Sequence, residues 1–169
     1  MKQRSNTNGS NENEWETPDY IFDNLNQEFG LNYDLACKTN NIKTVRGSML
    51  DKGNDGLLFE PFPYCNVWCN PPYNRQLKEL FIKKCYELSK HPYVKFVIML
   101  IPATMETKIM HDVVFPNGEV RCLKRRIPFK GYNTKGEYVT KKTGQTGSLI
   151  VIFGKSIIPK IIPYNIKED

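Results

Sequence analysis

An unbroken apolar run in the second half of the chain constrains the fold more than any other feature. Residues 96–103 are all apolar, yet the run is far shorter than the roughly 20 residues that a membrane-spanning helix needs. Continuous runs of this length are typical of strands buried on both faces in a parallel sheet. The run therefore predicts a strand at 94–101 inside an α/β protein, and no membrane segment.

The length of the chain favours one domain. With 169 residues, it can bury a full hydrophobic core but is too short for two ordinary domains. Residues 1–14 are polar and lack the apolar stretch of a signal peptide, so they predict a disordered tail and no export. We expect a single domain over 15–169.

Periodicity and turn residues predict an alternation of strands and helices. Helices are expected at 19–29, at 76–89 and, more weakly, at 104–114. Strands are expected at 31–37, 66–69, 94–101, 119–123 and, as the last strand, 148–153, with loops and one or two short strands over 38–63. This order predicts an open, mostly parallel twisted sheet flanked by helices, with ligand sites at the carboxyl ends of its strands.

One of these strand ends carries a motif with a specific chemistry, Asn70-Pro71-Pro72-Tyr73. Two prolines fix two φ angles and remove two amide donors, which leaves a stiff turn whose carbonyl oxygens can face a ligand. The Asn70 side chain adds an acceptor, so the loop can hold both hydrogens of an exocyclic amino group. Tyr73 offers a flat face on which an extruded base can stack. The alternative interpretation is an ordinary proline-rich turn.

A second candidate position is Asp34, near the end of the first strand. A carboxylate there could balance the positive charge of a cofactor or bind its amino group, and the small Ala36 would let the backbone approach closely. A helix cap or a salt bridge is an equally ordinary role for such an acid.

Positive charge is concentrated in one stretch of the chain. The formal net charge is +6, and the span from 121 to 142 holds eight basic residues against one acid, Glu137. Phe129, Tyr132 and Tyr138 are interleaved with them. Such a patch fits a polyanion partner, although charge alone favours a solvated loop surface.

The cysteines and histidines do not predict a metal site. The chain has five cysteines and two histidines, and their spacing matches no common zinc motif. Cys65 and Cys69 could be half of such a site, but neither His91 nor His111 has the required spacing. We therefore expect reduced cysteines and no bound metal.

Together these motifs resemble the phage-type DNA N-6-adenine methyltransferase family, also called the phage Dam family. The resemblance runs from about residue 15 to residue 153, and the loop followed at once by Asn74-Arg75 is its most specific part. The matching pieces are Trp15-Glu16-Thr17-Pro18, Asp34 with Ala36-Cys37, Asn41, Asp55-Gly56-Leu57, and the stretches 67–73, 99–103, 121–123 and 149–153.

The resemblance implies a class I methyltransferase-like fold, S-adenosylmethionine as methyl donor and adenine N6 in DNA as acceptor. The catalytic residues it implies are Asn70, Pro71, Pro72 and Tyr73. The cofactor residues it implies are Trp15, Thr17, Pro18, Asp34, Ala36, Asn41 and Asp55, with Asp51 an open alternative to Asp55. The DNA-binding residues expected alongside them are Arg75, Lys124, Arg125, Arg126, Lys130, Lys141 and Lys142.

The chain departs from many methyltransferases in two respects. It lacks a Gly-x-Gly cofactor loop, and residues 38–41 stand where that loop would be sought. It also has no room for a separate target-recognition domain, so DNA contact must come from loop insertions over about 124–147. Methylation of RNA or of a protein amide, or an inactive DNA-binding relative, are the alternatives. A cytoplasmic location in a bacterial or phage-infected cell is expected.

Overall fold

The structure is a computed structural model that describes residues 16–132, 137–140 and 146–166. Its strands, in chain order, are β1 (Tyr33–Cys37), β2 (Arg46–Met49), β3 (Cys65–Cys69), β4 (Val94–Pro102), β5 (Glu119–Leu123), β6 (Lys130–Tyr132), β7 (Tyr138–Thr140), β8 (Ser148–Phe153) and β9 (Lys160–Tyr164). The two long helices are α1 (Asp19–Phe29) and α2 (Arg75–Lys90). Short 3-10 turns cover Leu50–Lys52 and Gly56–Leu58.

Seven strands form one sheet in the order β2-β1-β3-β4-β8-β5-β9, and β6 pairs with β7 in a separate hairpin. All neighbours in the large sheet are parallel except β8, which is antiparallel to both β4 and β5. The predicted mostly parallel α/β sheet is therefore confirmed. We call the edge at which β1 to β4 end the carboxyl edge.

The connections create a switch point between β1 and β3. After β1 the chain forms β2 on one side of β1 and then β3 on the other side, so the direction in which strands are added reverses there. Open α/β sheets bind ligands in the crevice that such a reversal leaves at the carboxyl edge.

Helices cover both faces of the sheet. On one face, α1 packs Phe22 and Leu25 with Trp68 and Ile98 in one apolar cluster. On the other face, α2 contributes to a second cluster that includes strand residues such as Val67 and Met99. Because neighbouring residues of β3 and β4 point to opposite faces, both sides of these strands are buried, as their apolar sequence predicts.

The helix predicted at 104–114 is displaced toward the C-terminus. Residues 104–107 form a turn, and helical structure covers 108–117, including a π-helical turn at Met110–Val114 and a last α turn at Phe115–Asn117. Pro116 cannot donate the hydrogen bond that an α-helix needs at this point. In addition, the N–H of Phe115 donates to the carbonyl of Met110, which is a π-type bond.

One strand prediction needs correction, and one predicted loop contains strands of its own. The strand at 148–153 is present as β8, but it is not the last strand, because β9 follows and pairs with β5 in parallel. The loop predicted over 124–147 contains the β6–β7 hairpin. No helix in the part of the chain described by the structure is long and apolar enough to cross a membrane.

Candidate active site

The Asn-Pro-Pro-Tyr loop (residues 70–73) joins β3 to α2 at the carboxyl edge. Both of its ends are fixed: β3 is buried between β1 and β4, and Asn74 caps α2. The Asn74 side-chain oxygen accepts the N–H groups of Gln76 and Leu77 at 3.0 and 3.4 Å, as an N-cap residue does. The loop is therefore held between a core strand and a capped helix.

Two polar atoms in this loop are buried without accepting a hydrogen bond from the described residues. One is the hydroxyl of Tyr73, and the other is the Oδ1 atom of Asn70. Asn70 has another interaction within the protein. Burial raises the pKa of the Tyr73 phenol, so it stays protonated as a donor. A buried hydroxyl without a partner costs stability, which makes Tyr73 a candidate for contact with a ligand.

The segment before α1 contacts the β6–β7 hairpin, and the residue just before the hairpin contacts the Asn-Pro-Pro-Tyr loop. The N–H of Glu16 donates to the Lys130 carbonyl at 2.7 Å, and the Tyr138 hydroxyl donates to the Glu16 carboxylate at 2.9 Å. Just before the hairpin, the Phe129 ring meets the Tyr73 ring edge-on, with centroids 6.0 Å apart. The N-terminal motif, the basic insertion and the Asn-Pro-Pro-Tyr loop thus lie in one region.

Asp34 is a buried acid in β1, which adjoins the switch point. It is 2% exposed, and its two oxygens accept the N–H groups of Ala36 at 3.3 Å and Lys43 at 3.1 Å. Burial raises the pKa of Asp34 to about 6, and these two hydrogen bonds limit the rise. No cation of the described residues lies within ion-pair distance of Asp34, since the Lys43 ammonium group pairs with Asp19 instead.

The loops after β1 and β2 use the other candidate acids and amides locally. Asn41 accepts the N–H of Lys38 at 2.6 Å. Asp51 accepts both the N–H and the hydroxyl of Thr39, at 3.0 and 2.8 Å, and this contact lowers the pKa of Asp51. These bonds link the loop after β1 to the turn at Leu50–Lys52, and Lys43 of the same loop donates its N–H to Asp34.

Asp55 starts the short turn that packs on β1. Its side chain accepts the N–H of Leu57 at 2.9 Å. The next residue, Gly56, approaches the backbone so closely that a Cβ there would lie 1.9 Å from the carbonyl oxygen of Leu35. Both Asp51 and Asp55 are exposed at the surface, and the contacts of each are with the protein's own loops.

Part of the basic stretch is buried rather than exposed. Arg121 is buried in ion pairs with Glu28 and Glu119, and Phe129 belongs to the core, so neither is part of a surface patch. Among the residues of this region that the structure describes, the exposed cations are Lys124, Arg125, Arg126 and Lys130, and Arg75 is exposed at the start of α2. Trp15, Lys141 and Lys142 lie outside the described residues.

Thr17 and Pro18 are both buried at the start of α1, next to Asp19 and its ion pair with the loop after β1. Glu16 and Phe129 were not predicted as site residues. Glu16 could have been found from the four-residue match at 15–18. Phe129 could have been found because it is an apolar residue within a basic stretch. Among the described residues, no group of three or more His, Cys, Asp or Glu side chains is placed to hold a metal.

Comparison with known proteins agrees with this arrangement. The family model for Dam, DNA N-6-adenine-methyltransferase, matches residues 4–169. A similar protein is the DNA N-6-adenine-methyltransferase of Haemophilus phage HP1 (strain HP1c1), which is 29% identical over 140 residues, or 81% of this chain and 78% of that enzyme. The family match covers nearly the whole chain, and the sheet has the methyltransferase-like order of elements. The chain therefore belongs to the Dam family and is a DNA N6-adenine methyltransferase.

Proposed function

We propose that this methyltransferase uses S-adenosylmethionine as its donor and that the Asn-Pro-Pro-Tyr loop holds an adenine extruded from the DNA. The observation that carries the proposal is the Tyr73 hydroxyl, which is buried without a hydrogen-bond partner from the described residues. It lies in a rigid loop at the carboxyl edge, where this class of sheet binds its ligands.

The residues near the switch point fit a cationic cofactor. Asp34 is a buried carboxyl group whose oxygens meet two backbone N–H groups and no cation among the described residues. A positive group bound beside it would favour its ionised form. When bound, S-adenosylmethionine supplies an already activated methyl group on a sulfonium centre.

The cofactor pocket that we propose surrounds Asp34. Thr17 and Pro18 would close it from the start of α1. Ala36 would line it within β1, and Asn41 would line it in the loop that follows. Trp15 and one of Asp51 and Asp55 complete the set that the family resemblance implies.

The loop residues can hold an amino group in one orientation. Pro71 and Pro72 lack N–H groups, so this turn presents acceptors rather than donors. A carbonyl oxygen of the loop and the Asn70 side-chain oxygen would accept the two hydrogens of the adenine amino group. The nitrogen lone pair then points away from both acceptors, toward the methyl donor, and no strong base is needed.

Tyr73 has two roles in this proposal. Its ring, which contacts the Phe129 ring edge-on, would stack on the extruded base. Its hydroxyl is available as a hydrogen-bond donor within the occupied site. The exposed cations at 124–126, with Lys130 and Arg75, would contact phosphates and give a binding affinity that falls with salt. The reaction would take place on DNA in the cytoplasm of a bacterial or phage-infected cell.

Asn70→Ala tests the role of the loop, because it removes an acceptor of the amino group without removing the binding surfaces. We expect methyl transfer to DNA to be lost, while equilibrium binding of DNA and of S-adenosylmethionine stays within about twofold of the wild type. Asn165→Ala, at an exposed position, is the control and should keep full activity. An active Asn70→Ala enzyme would refute the assigned role.

A further inference from the structure

Lys78 is a buried lysine in the first turns of α2 that the proposed reaction does not yet use. It is 6% exposed, and its ammonium group donates to the Thr104 hydroxyl at 3.0 Å. None of the carboxylates among the described residues forms an ion pair with it. Glu79 and Glu106 act on it only as more distant charges.

A lysine in this position destabilises the free protein. Removing an ammonium group from water is unfavourable unless an anion and hydrogen bonds replace the water. The Lys78 ammonium group can donate three hydrogen bonds, and the Thr104 hydroxyl accepts one of them. Burial lowers the pKa of Lys78, and the nearby positive charge of Arg75 lowers it further. Both effects would be relieved by a bound anion.

The position of Lys78 at the start of α2, close to the carboxyl edge of the sheet, indicates which anion it binds. The residue follows the Asn-Pro-Pro-Tyr loop by one turn of helix, and its N–H donates to the carbonyl of the capping residue Asn74 at 2.9 Å. Its partner Thr104 follows the end of β4. Since β4 lies beyond β3 from the β1–β3 switch point, Lys78 is on the far side of the loop from the proposed cofactor pocket.

We propose that Lys78 binds a phosphate of the DNA strand next to the adenine held by the Asn-Pro-Pro-Tyr loop. This inference rests on the proposed function, because it takes the loop as the place where the base is held. The exposed Arg75, in the first turn of the same helix, supplies a second cation on this side. Lys78 thereby holds the target nucleotide by its backbone, while the loop holds it by its base.

The alternative is that Lys78 only fastens α2 to the segment after β4 through Thr104. The two roles differ in their dependence on salt. A phosphate contact releases counterions from DNA, so its loss lowers the slope of log affinity against log salt concentration by about 0.9. A purely structural lysine has no effect on this slope.

The test compares Lys78→Met and Lys78→Gln with Lys83→Met, which removes an exposed lysine of the same helix. Binding to a duplex of unmethylated DNA is measured across a salt series, with thermal unfolding and S-adenosylmethionine binding measured on the same preparations. Glutamine removes the charge and keeps a hydrogen-bond donor on a side chain that is one atom shorter. Thr104→Val removes the hydroxyl partner and keeps the charge.

We expect both Lys78 variants to lose about 0.9 from the salt slope, to unfold at the wild-type temperature or above, and to keep their cofactor affinity. Lys83→Met and Thr104→Val should keep the wild-type slope. An unchanged slope in both Lys78 variants would refute the inference, and a loss of cofactor affinity would assign the anion to the cofactor instead. An Asn70→Ala enzyme that binds DNA but no longer methylates it would show that the proposed function holds even where the inference about Lys78 fails.

Discussion

Tyr73→Phe should make the unliganded enzyme more stable and less active. The substitution removes only the hydroxyl, which is buried without a partner among the described residues, and keeps the ring that packs on Phe129. An unsatisfied buried polar group costs about 1 to 3 kcal/mol. We therefore expect the free energy of unfolding to rise by about 1 to 3 kcal/mol.

The change in stability is large enough to measure by thermal unfolding. For a chain of this length, 1 kcal/mol corresponds to about 2 to 4 °C in Tm, so the Tyr73→Phe enzyme should unfold about 2 to 12 °C above the wild type. If the hydroxyl makes a hydrogen bond only in the occupied site, its removal should cost about 0.5 to 1.5 kcal/mol of transition-state stabilisation. This loss corresponds to a roughly 2- to 13-fold decrease in kcat/KM.

Tyr86→Phe provides a matched control. The Tyr86 hydroxyl donates to the Asn117 side chain at 2.8 Å, so its removal breaks a satisfied hydrogen bond away from the Asn-Pro-Pro-Tyr loop. This variant should lose about 0.5 to 1.5 kcal/mol of stability and keep its kcat/KM. If Tyr73→Phe were destabilised to the same extent, or kept full activity, the reasoning about the unpartnered hydroxyl would be wrong.

Three further predictions concern the cofactor pocket, the packing beneath it and the DNA surface. The pKa of Asp34 is raised to about 6, and its neutral form does not attract a cation. Titration calorimetry should therefore show that the affinity for S-adenosylmethionine falls about tenfold from about pH 7 to about pH 5. An equal fall in the Asp34→Asn variant would exclude Asp34 as the cause. Gly56→Ala should cost about 3 kcal/mol in urea unfolding because of the 1.9 Å approach to Leu35, and stability near the wild type would contradict the tight packing. Changing residues 124–126 together to Ala should weaken binding to all DNA sequences alike and flatten the salt dependence, whereas an altered sequence preference would place these side chains in a groove.

The parts of the fold that were predicted from sequence are those with strong local patterns. α1 has the predicted bounds, since its apolar residues keep helical spacing and Gly30 ends it in a left-handed conformation. β8 has the predicted bounds as well, because all of its residues are buried. β9 was missed because much of it is exposed, and its place in the sheet depends on pairing with β5, which is distant in sequence.

The buried face of α2 shows what a simple periodicity count overlooks. Leu77 and Leu80 are apolar residues of this helix, but the structure leaves them 40% and 48% exposed. The buried face instead runs through Lys78, Phe81 and Ile82, at the i, i+3 and i+4 positions of a helix. Lys78 occupies a position of the helical repeat at which a buried apolar residue is expected, and this pattern was the signal for its burial. Because charged residues usually lie at the surface, the signal was easy to overlook.

For the site itself, chain order and strand ends were sufficient to nominate Asp34 and the Asn-Pro-Pro-Tyr loop. Sequence could not show that the Asp34 oxygens meet the backbone of Ala36 and Lys43. Nor could it show that the hairpin contacts Glu16, because that contact joins residues more than a hundred positions apart. Such contacts depend on tertiary packing, which local patterns do not encode.

The most direct test of the central claim is transfer of labelled methyl from S-adenosylmethionine to unmethylated DNA by the purified enzyme, followed by nucleoside analysis of the product. We expect the label to appear in N6-methyladenine. Label in another nucleoside, or no label in DNA although S-adenosylmethionine binds, would contradict the claim.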